Sequence, residues 1–316
     1  MNRPTSSDHS LVPQLTVAIC TRNPRTDYLA RVLHALSQQT LPLPDWELVL
    51  IDSASDRPLT ADPARAAGLG CRLIRLEISG LVRARFAAIA AAAAPVLLFL
   101  DDDNVPAPDF LATGLELGRQ WPALGCWASA CILPECETPP PRSVVENLGR
   151  MACCDFPSDR WSNTLDVVPP GAGLFVRTAI ALHYASFAEN DPRRQLLGET
   201  GDRFFRGDDT DLVFFIVKQD YGAGQFRALK LTHLMPTRRL TEENVVKLAK
   251  ASAGSAVVVN YIWGVAPRQE SRLDWLIYQL KALRFRGLSR RVARAHREGE
   301  GEARELIRSL NLEPRT

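Results

Sequence analysis

Apolar residues fall in short runs near the start of the chain, and at helical spacing between those runs. LTVAI at 15–19 is a short apolar run closed by the turn Cys20-Thr21-Arg22-Asn23-Pro24, the pattern of a buried strand. Leu29, Val32, Leu33 and Leu36 then recur three and four apart, which predicts an amphipathic helix over 27–38. WELVLI at 46–51 is a second strand, ending at Asp52, and residues 72–77 with Cys71 resemble a third. The stretch 81–94 is rich in alanine and favours helix until Pro95 ends it. Val96 to Leu100 is apolar at every position and runs straight into Asp101-Asp102-Asp103.

Strands apolar throughout, alternating with helices, predict an α/β fold whose parallel sheet is covered on both faces. Ligands of such sheets bind beyond the carboxyl ends of the strands. The polar residues gather there: Thr21 and Arg22, then Asp52, then Asp101 to Asp103. That layout suits a nucleotide-sized site. From about 105 the chain is less regular. It carries a Pro/Cys-rich loop at 133–142, then Pro169-Pro170-Gly171-Ala172-Gly173, then Gly207-Asp208-Asp209-Thr210-Asp211 before an apolar stretch at 212–217. His233 follows, and Thr241 is placed to cap a helix with Glu242 and Glu243 in its first turn. No internal repeat is present.

Composition narrows the class. The 316 residues are 46% hydrophobic and 23% charged, ordinary for a globular chain long enough to fold without disulfide or metal staples. A net charge of +2 excludes a generally basic nucleic-acid binder. No run reaches the 18 or so uninterrupted apolar residues of a membrane span. Residues 1–14 have no apolar core after their arginine and read as a disordered lead-in, not a secretory signal. Five of the seven cysteines lie between 126 and 154 without a CxxC pair or a nearby histidine, so reduced thiols in a cytosolic compartment are expected instead of zinc. Between 268 and 297 nine Lys/Arg face two acids, interleaved with Leu273, Leu276, Ile277, Leu280, Leu283 and Leu288. This tail reads as a basic amphipathic helix, suited either to an anionic membrane face or to a solvated position on the domain.

Three consecutive carboxylates at a strand end repel one another unless something positive compensates. Mg²⁺ or Mn²⁺ does so, taking one or two carboxylates and completing its shell with phosphate oxygens and water; helix capping is the plainer reading. Of Arg83 and Arg85, one is placed to meet phosphates, or both are surface charges. Gly171 and Gly173 allow close backbone approach to a ligand, or simply make a turn. Asp208 and Asp209 offer a carboxylate pair able to take a proton from a hydroxyl, or acids favoured at a helix start. His233 is a lone histidine before Pro236, Arg238 and Arg239, structural unless that loop meets phosphate.

Read in order, VAICTRN, LVLIDSAS, GLVRAR, LLFLDDDNVPAPDF, PPGAGLFVR, GDDTDL and THLMPTRRL resemble the family 2 glycosyltransferases of bacterial polysaccharide biosynthesis, over about 15–245. The resemblance implies a GT-A fold: a Rossmann-like, mostly parallel central sheet with flanking helices. It divides the chain into a glycosyltransferase domain at 15–245, with a nucleotide-binding half to 104 and an acceptor half from 105, and a basic helical extension at 246–316. It implies an inverting enzyme that moves a sugar from a UDP, GDP or dTDP sugar to a saccharide or lipid-linked acceptor, with Mn²⁺ or Mg²⁺, in the cytoplasm or against the inner membrane face. Thr21, Arg22, Asp52 and Arg83 would hold the nucleotide. Asp103 would ligate the cation, with Asp101 and His233 as further ligands, while Asp101 or Asp102 holds the ribose or a metal-bound water. Gly171 and Gly173 would shape the sugar pocket. Asp209 would be the general base, and Asp208 stands where the family usually has Glu.

Two other readings compete. A sugar-phosphate nucleotidyltransferase shares the sheet and a metal–nucleotide site, but those enzymes carry a glycine-rich loop where this chain has CTRNPRTD. An inactive nucleotide-sugar scaffold is disfavoured by the presence of both acidic clusters.

Overall fold

The computed structural model describes residues 12–197, 199–200, 203–204, 206–265 and 285–309. Chain order is β1 (Leu15–Thr21), α1 (Thr26–Ser37), β2 (Trp46–Ser53), α2 (Asp62–Ala66), β3 (Arg72–Leu76), α3 (Leu81–Ala91) and β4 (Val96–Leu100). Next come β5 (Asn104–Pro106), α4 (Phe110–Gln120), β6 (Leu124–Cys136), α5 (Arg142–Val145), β7 (Cys154–Asp155) and β8 (Arg160–Ser162). Then follow β9 (Leu174–Arg177), α6 (Thr178–Ala188), β10 (Glu199–Thr200), β11 (Arg203–Phe204), α7 (Asp208–Lys218), β12 (Gly222–Met235), α8 (Glu242–Ile262) and α9 (Gly287–Ser309).

The sheet runs β3-β2-β1-β4-β9-β6-β12-β5. β1 pairs in parallel with β2 and β4, β2 with β3, and β6 with β12, while β9 and β5 run against their neighbours. The carboxyl ends of β1, β2, β4, β6 and β12 therefore share one rim. Alternation on the pleat explains why the predicted strands are apolar on every residue. Leu98 and Leu100 face a core closed by α1 and α4, whereas Leu97 and Phe99 face one closed by α3, α6 and α7. The expected face of α1, Leu29, Val32, Leu33 and Leu36, is buried in the first of these cores.

The apolar stretch 212–217 is the buried body of α7, whose first turn holds Asp208, Asp209 and Asp211, the residue types that the helix dipole favours there. Thr241 caps α8, its side chain accepting the Asn244 N–H at 3.2 Å. α8 crosses the boundary placed at 245 and belongs to the body of the molecule. Val245 and Leu248 pack with Met235, and Val258, Val259 and Ile262 pack with Leu197 and with Ala303 and Leu306 of α9. By length and composition alone α8 would suffice to cross a membrane, yet most of it is buried inside the protein. The basic tail is only partly visible, since 266–284 lie outside the described residues. In α9 much of the charge is paired: Arg291 with Glu242 and Glu243, Arg294 with Glu298, and Arg304 with Glu300.

Candidate active site

The strand order reverses between β1 and β4, and the site begins there. Thr21 ends β1 and its hydroxyl donates to Asp102, just beyond β4. Burial pushes the Asp102 carboxyl up to about 6; the Thr21 bond opposes the shift and the neighbouring Asp103 and Asp101 add to it. Above this rim lies a cavity of about 790 Å³. Arg22, Ser53 and Gly80 line its β1–β2 side, and Asp101 lies at its base. Gly171, Asp208 and Asp209 form a second wall. Arg238, Arg239, Asn244, Lys247 and Ser252 close it from the loop after β12 and from α8.

At the second wall, a carboxylate pair and an arginine interlock. Arg85 reaches across from α3 to pair with Asp208, both side chains largely buried. Burial raises the Asp208 carboxyl to about 6, against the pull of Arg85. Asp209 Oδ2 accepts the Gly171 N–H at 2.8 Å, and its Oδ1 accepts the Thr210 N–H at 2.8 Å. The Thr210 hydroxyl also donates to Oδ1, at 3.4 Å, so Oδ2 is the oxygen that keeps a lone pair for another donor. A Cβ at Gly171 would stand 2.2 Å from Arg85 Nη2, so glycine lets this loop close on Arg85 and Asp209 together.

A second convergence lies at the ends of β4 and β12. The antiparallel register of β12 with β5 sets His233 opposite Asn104. His233 Nε2 stands 3.4 Å from Asp103 Oδ2. Arg239 Nη1 reaches both, at 2.8 Å from the carboxylate and 3.1 Å from the imidazole. A guanidinium only donates, so both groups present lone pairs to one positive point. The Asn104 amide donates to the other oxygen of Asp103 at 2.8 Å and fixes its plane, and His233 Nδ1 faces Cys153 Sγ at 3.9 Å. Among the described residues no three His, Cys, Asp or Glu side chains gather as a preformed cation cage. One carboxylate and one imidazole nonetheless fit a Mn²⁺ or Mg²⁺ ion that takes the rest of its shell from phosphate and water.

Other expected residues fall elsewhere. Asp52 is fully buried beneath the rim. Burial alone would raise its carboxyl, but bonds from Ser55, Leu59 and Arg75 hold it below the usual range. Those bonds, at 2.5–3.0 Å, shape the loop after β2, whose Ser53 reaches the cavity. Arg83 is exposed on α3 and does not line the cavity; Arg85, two residues on, does. Gly173 adopts φ +68° and packs under Leu231 and Phe110, so its glycine serves the backbone and the core. Arg239 and the α8 residues Asn244, Lys247 and Ser252 were not among the expected site residues. The run THLMPTRRLTEEN carries the only sequence signal for them, cations beside a helix start.

The β3-β2-β1-β4 half-sheet, extended by mixed strands and with an acidic triplet at its switch point, is the sheet expected of a GT-A fold. Residues 16–127 match the family model of Glycosyl transferase family 2, from β1 to the first residues of β6 and including the acidic triplet. The structure is similar over 96% of the chain to a mannosyltransferase, PcManGT from Pyrobaculum calidifontis, solved in complex with GDP-Man and Mn²⁺; 77% of that chain is covered, at 16% identity and a TM-score of 0.53. TarS of S. aureus, residues 1–349 in complex with UDP, aligns over 94% of this chain and 92% of its own, at 14% identity and a TM-score of 0.49. No curated protein matches the sequence.

Proposed function

We propose that this protein transfers a sugar from a nucleoside diphosphate sugar to an acceptor hydroxyl, with inversion at C1. The observation that carries the reading is the placement of Asp209. Its carboxylate is held by the Gly171 N–H at 2.8 Å and opens into the cavity that Asp101 and Arg85 also line. Thr21, Arg22 and Ser53 form the nucleotide side. Asp209 takes the proton of the acceptor hydroxyl, whose oxygen bonds to C1 from the face opposite the nucleotide. The C1–O bond to the diphosphate breaks, and the nucleoside diphosphate leaves. Attack from that side inverts the anomeric centre.

Arg85, locked to Asp208, keeps a positive charge beside the base and the sugar pocket. Arg238 and Arg239 line the side where the departing diphosphate gathers charge. Asp103 and His233 would hold a divalent cation, with Asp101 beside them. Such an ion supplies Lewis-acid neutralisation of the diphosphate. The GDP-Man and Mn²⁺ bound by PcManGT support this donor and ion class. Seven cysteines without disulfide partners support a reducing, cytoplasmic setting.

Asp209→Asn keeps the Gly171 contact through its side-chain oxygen and removes the base. Turnover is expected to fall about 10²–10⁴-fold with nucleotide affinity retained. Transfer at the wild-type rate would remove Asp209 from this role.

A further inference from the structure

One side chain stands between the cavity and the Asp103–His233 pair. Arg239 lines the cavity, whereas neither Asp103 nor His233 does. The Asn104 amide takes Asp103 Oδ1, and His233 Nδ1 is turned to Cys153. That leaves Oδ2 and Nε2 as the atoms with which the pair would hold an ion. Arg239 Nη1 meets both of them, at 2.8 and 3.1 Å. A guanidinium only donates, so it draws on the same two lone pairs that Mn²⁺ or Mg²⁺ would need. Arginine and metal therefore exclude each other here, and an ion that enters with a nucleotide from the cavity meets Arg239 first.

The turn that carries Arg239 is pinned on both sides. The Thr237 N–H donates to Glu137 at 2.9 Å, and the Arg239 N–H donates to the Pro236 carbonyl at 2.8 Å. The Arg239 carbonyl accepts the Asn244 side-chain amide at 2.9 Å. Leu240, the next residue, is buried with Met235 and Val245. The Arg239 side chain, by contrast, is 38% exposed. Its guanidinium can leave the pair by rotation about side-chain bonds, from one staggered well to another, with the backbone held.

We infer that Arg239 is an exchangeable counter-ion: a divalent cation entering with the donor displaces it from Asp103 and His233, and its guanidinium passes to the donor diphosphate. This deepens the reaction proposed above and rests on its donor and ion class. A free ion breaks two bonds of Arg239 and gives that guanidinium no new acceptor. An ion that carries a diphosphate supplies acceptor oxygens in the paired geometry a guanidinium fits. The seat thus admits a metal–diphosphate complex ahead of free metal. Metal and nucleotide then bind with positive coupling, each raising the affinity of the other by one and the same factor.

Mn²⁺ titrated into the full chain, with free aqueous Mn²⁺ read by electron paramagnetic resonance, tests this without turnover. Protein-free blanks remove chelation by the nucleotide. In the wild type, Mn²⁺ alone should bind weakly, and at least one of UDP, GDP and dTDP should raise its affinity about tenfold or more. In Arg239→Ala, Mn²⁺ alone should bind about tenfold more tightly than in the wild type, and nucleotide should add little. Arg239→Lys, which keeps the charge but not the fork, should shift both readings in the same direction by less. Arg238→Ala removes an equal charge from the same turn and should leave the affinity for Mn²⁺ alone unchanged. Equal Mn²⁺ affinity in the wild type and the Arg239 variants, an equal gain in Arg238→Ala, or wild-type Mn²⁺ binding that no nucleotide strengthens would each overturn the exchange. Failure of every variant to bind Mn²⁺ with any nucleotide would overturn it together with the cation seat. A chain that shows the expected exchange but releases no nucleoside diphosphate from GDP, UDP or dTDP sugars would instead overturn the transfer reaction and leave the exchange standing.

Discussion

Asp208 and Asp209 are neighbours in opposite surroundings, which is why the proposal gives them different roles. Asp209 is held by two backbone N–H groups and opens on the cavity, whereas Asp208 is turned onto Arg85 and buried. Burial raises Asp208 to about 6, above the usual carboxylate value, so the folded chain holds its proton more tightly than the unfolded chain does. The sign follows from linkage. This group contributes stability when protonated, and that contribution is lost as pH rises through about 6. Asp208→Asn should therefore cost less stability at about pH 7.5 than at about pH 4.5, measured by urea unfolding at both. The opposite order would mean that the Arg85 pair holds the carboxyl down. The sequence announces both acids but not their division of labour, because Arg85 lies 123 positions from Asp208. The choice of Arg85 over Arg83 depends likewise on which face of α3 meets the sheet. Helical spacing cannot show that where alanine fills most of the turn.

At the scale of elements, α7 carries Asp209, the proposed base, and a buried network holds α7. Asp211, one turn in, accepts from Tyr184 of α6, from Arg194 and from Trp263 at the end of α8, each at 2.7 Å. Arg194 is 2% exposed and also pairs with Asp191. Asp211→Ala leaves that guanidinium with one carboxylate fewer and should cost about 3–5 kcal/mol in unfolding free energy. A cost under about 1 kcal/mol would show that the network does not brace α7. The contact between α8 and α9 is as specific. A Cβ at Gly299 would stand 2.0 Å from the Lys250 carbonyl oxygen, so glycine allows the two backbones to approach. Gly299→Val should cost about 1–3 kcal/mol and loosen α9 in hydrogen exchange. Fully apolar strands and the spacing of α1 made the nucleotide half legible from sequence. The expected boundary at 245 falls inside α8. Its packing depends on contacts with Leu197 and α9, which are distant in the chain.

For the molecule as a whole, the proposed function rests on one rim of a mostly parallel sheet, which sets Arg22, Ser53, Asp101 and Asp209 around one cavity and the Asp103–His233 pair beside its Arg239. The parts of this site come from distant stretches of the chain, with the acidic triplet after β4 and the closing residues after β12 and from α8. That distance is why the sequence showed the acids clearly and the closing arginines and α8 residues only faintly. A nucleoside diphosphate bound with Mn²⁺ at about 100 times its dissociation constant should stabilise the native chain by about 2.7 kcal/mol, and less in chelator. The most direct measurement is a crystal of the protein with Mn²⁺ and a nucleoside diphosphate, examined at the manganese absorption edge. The account predicts an anomalous peak beside Asp103 and His233, with the diphosphate between that peak and Arg238–Arg239. A peak or a nucleotide bound away from the ends of β4 and β12 would contradict it.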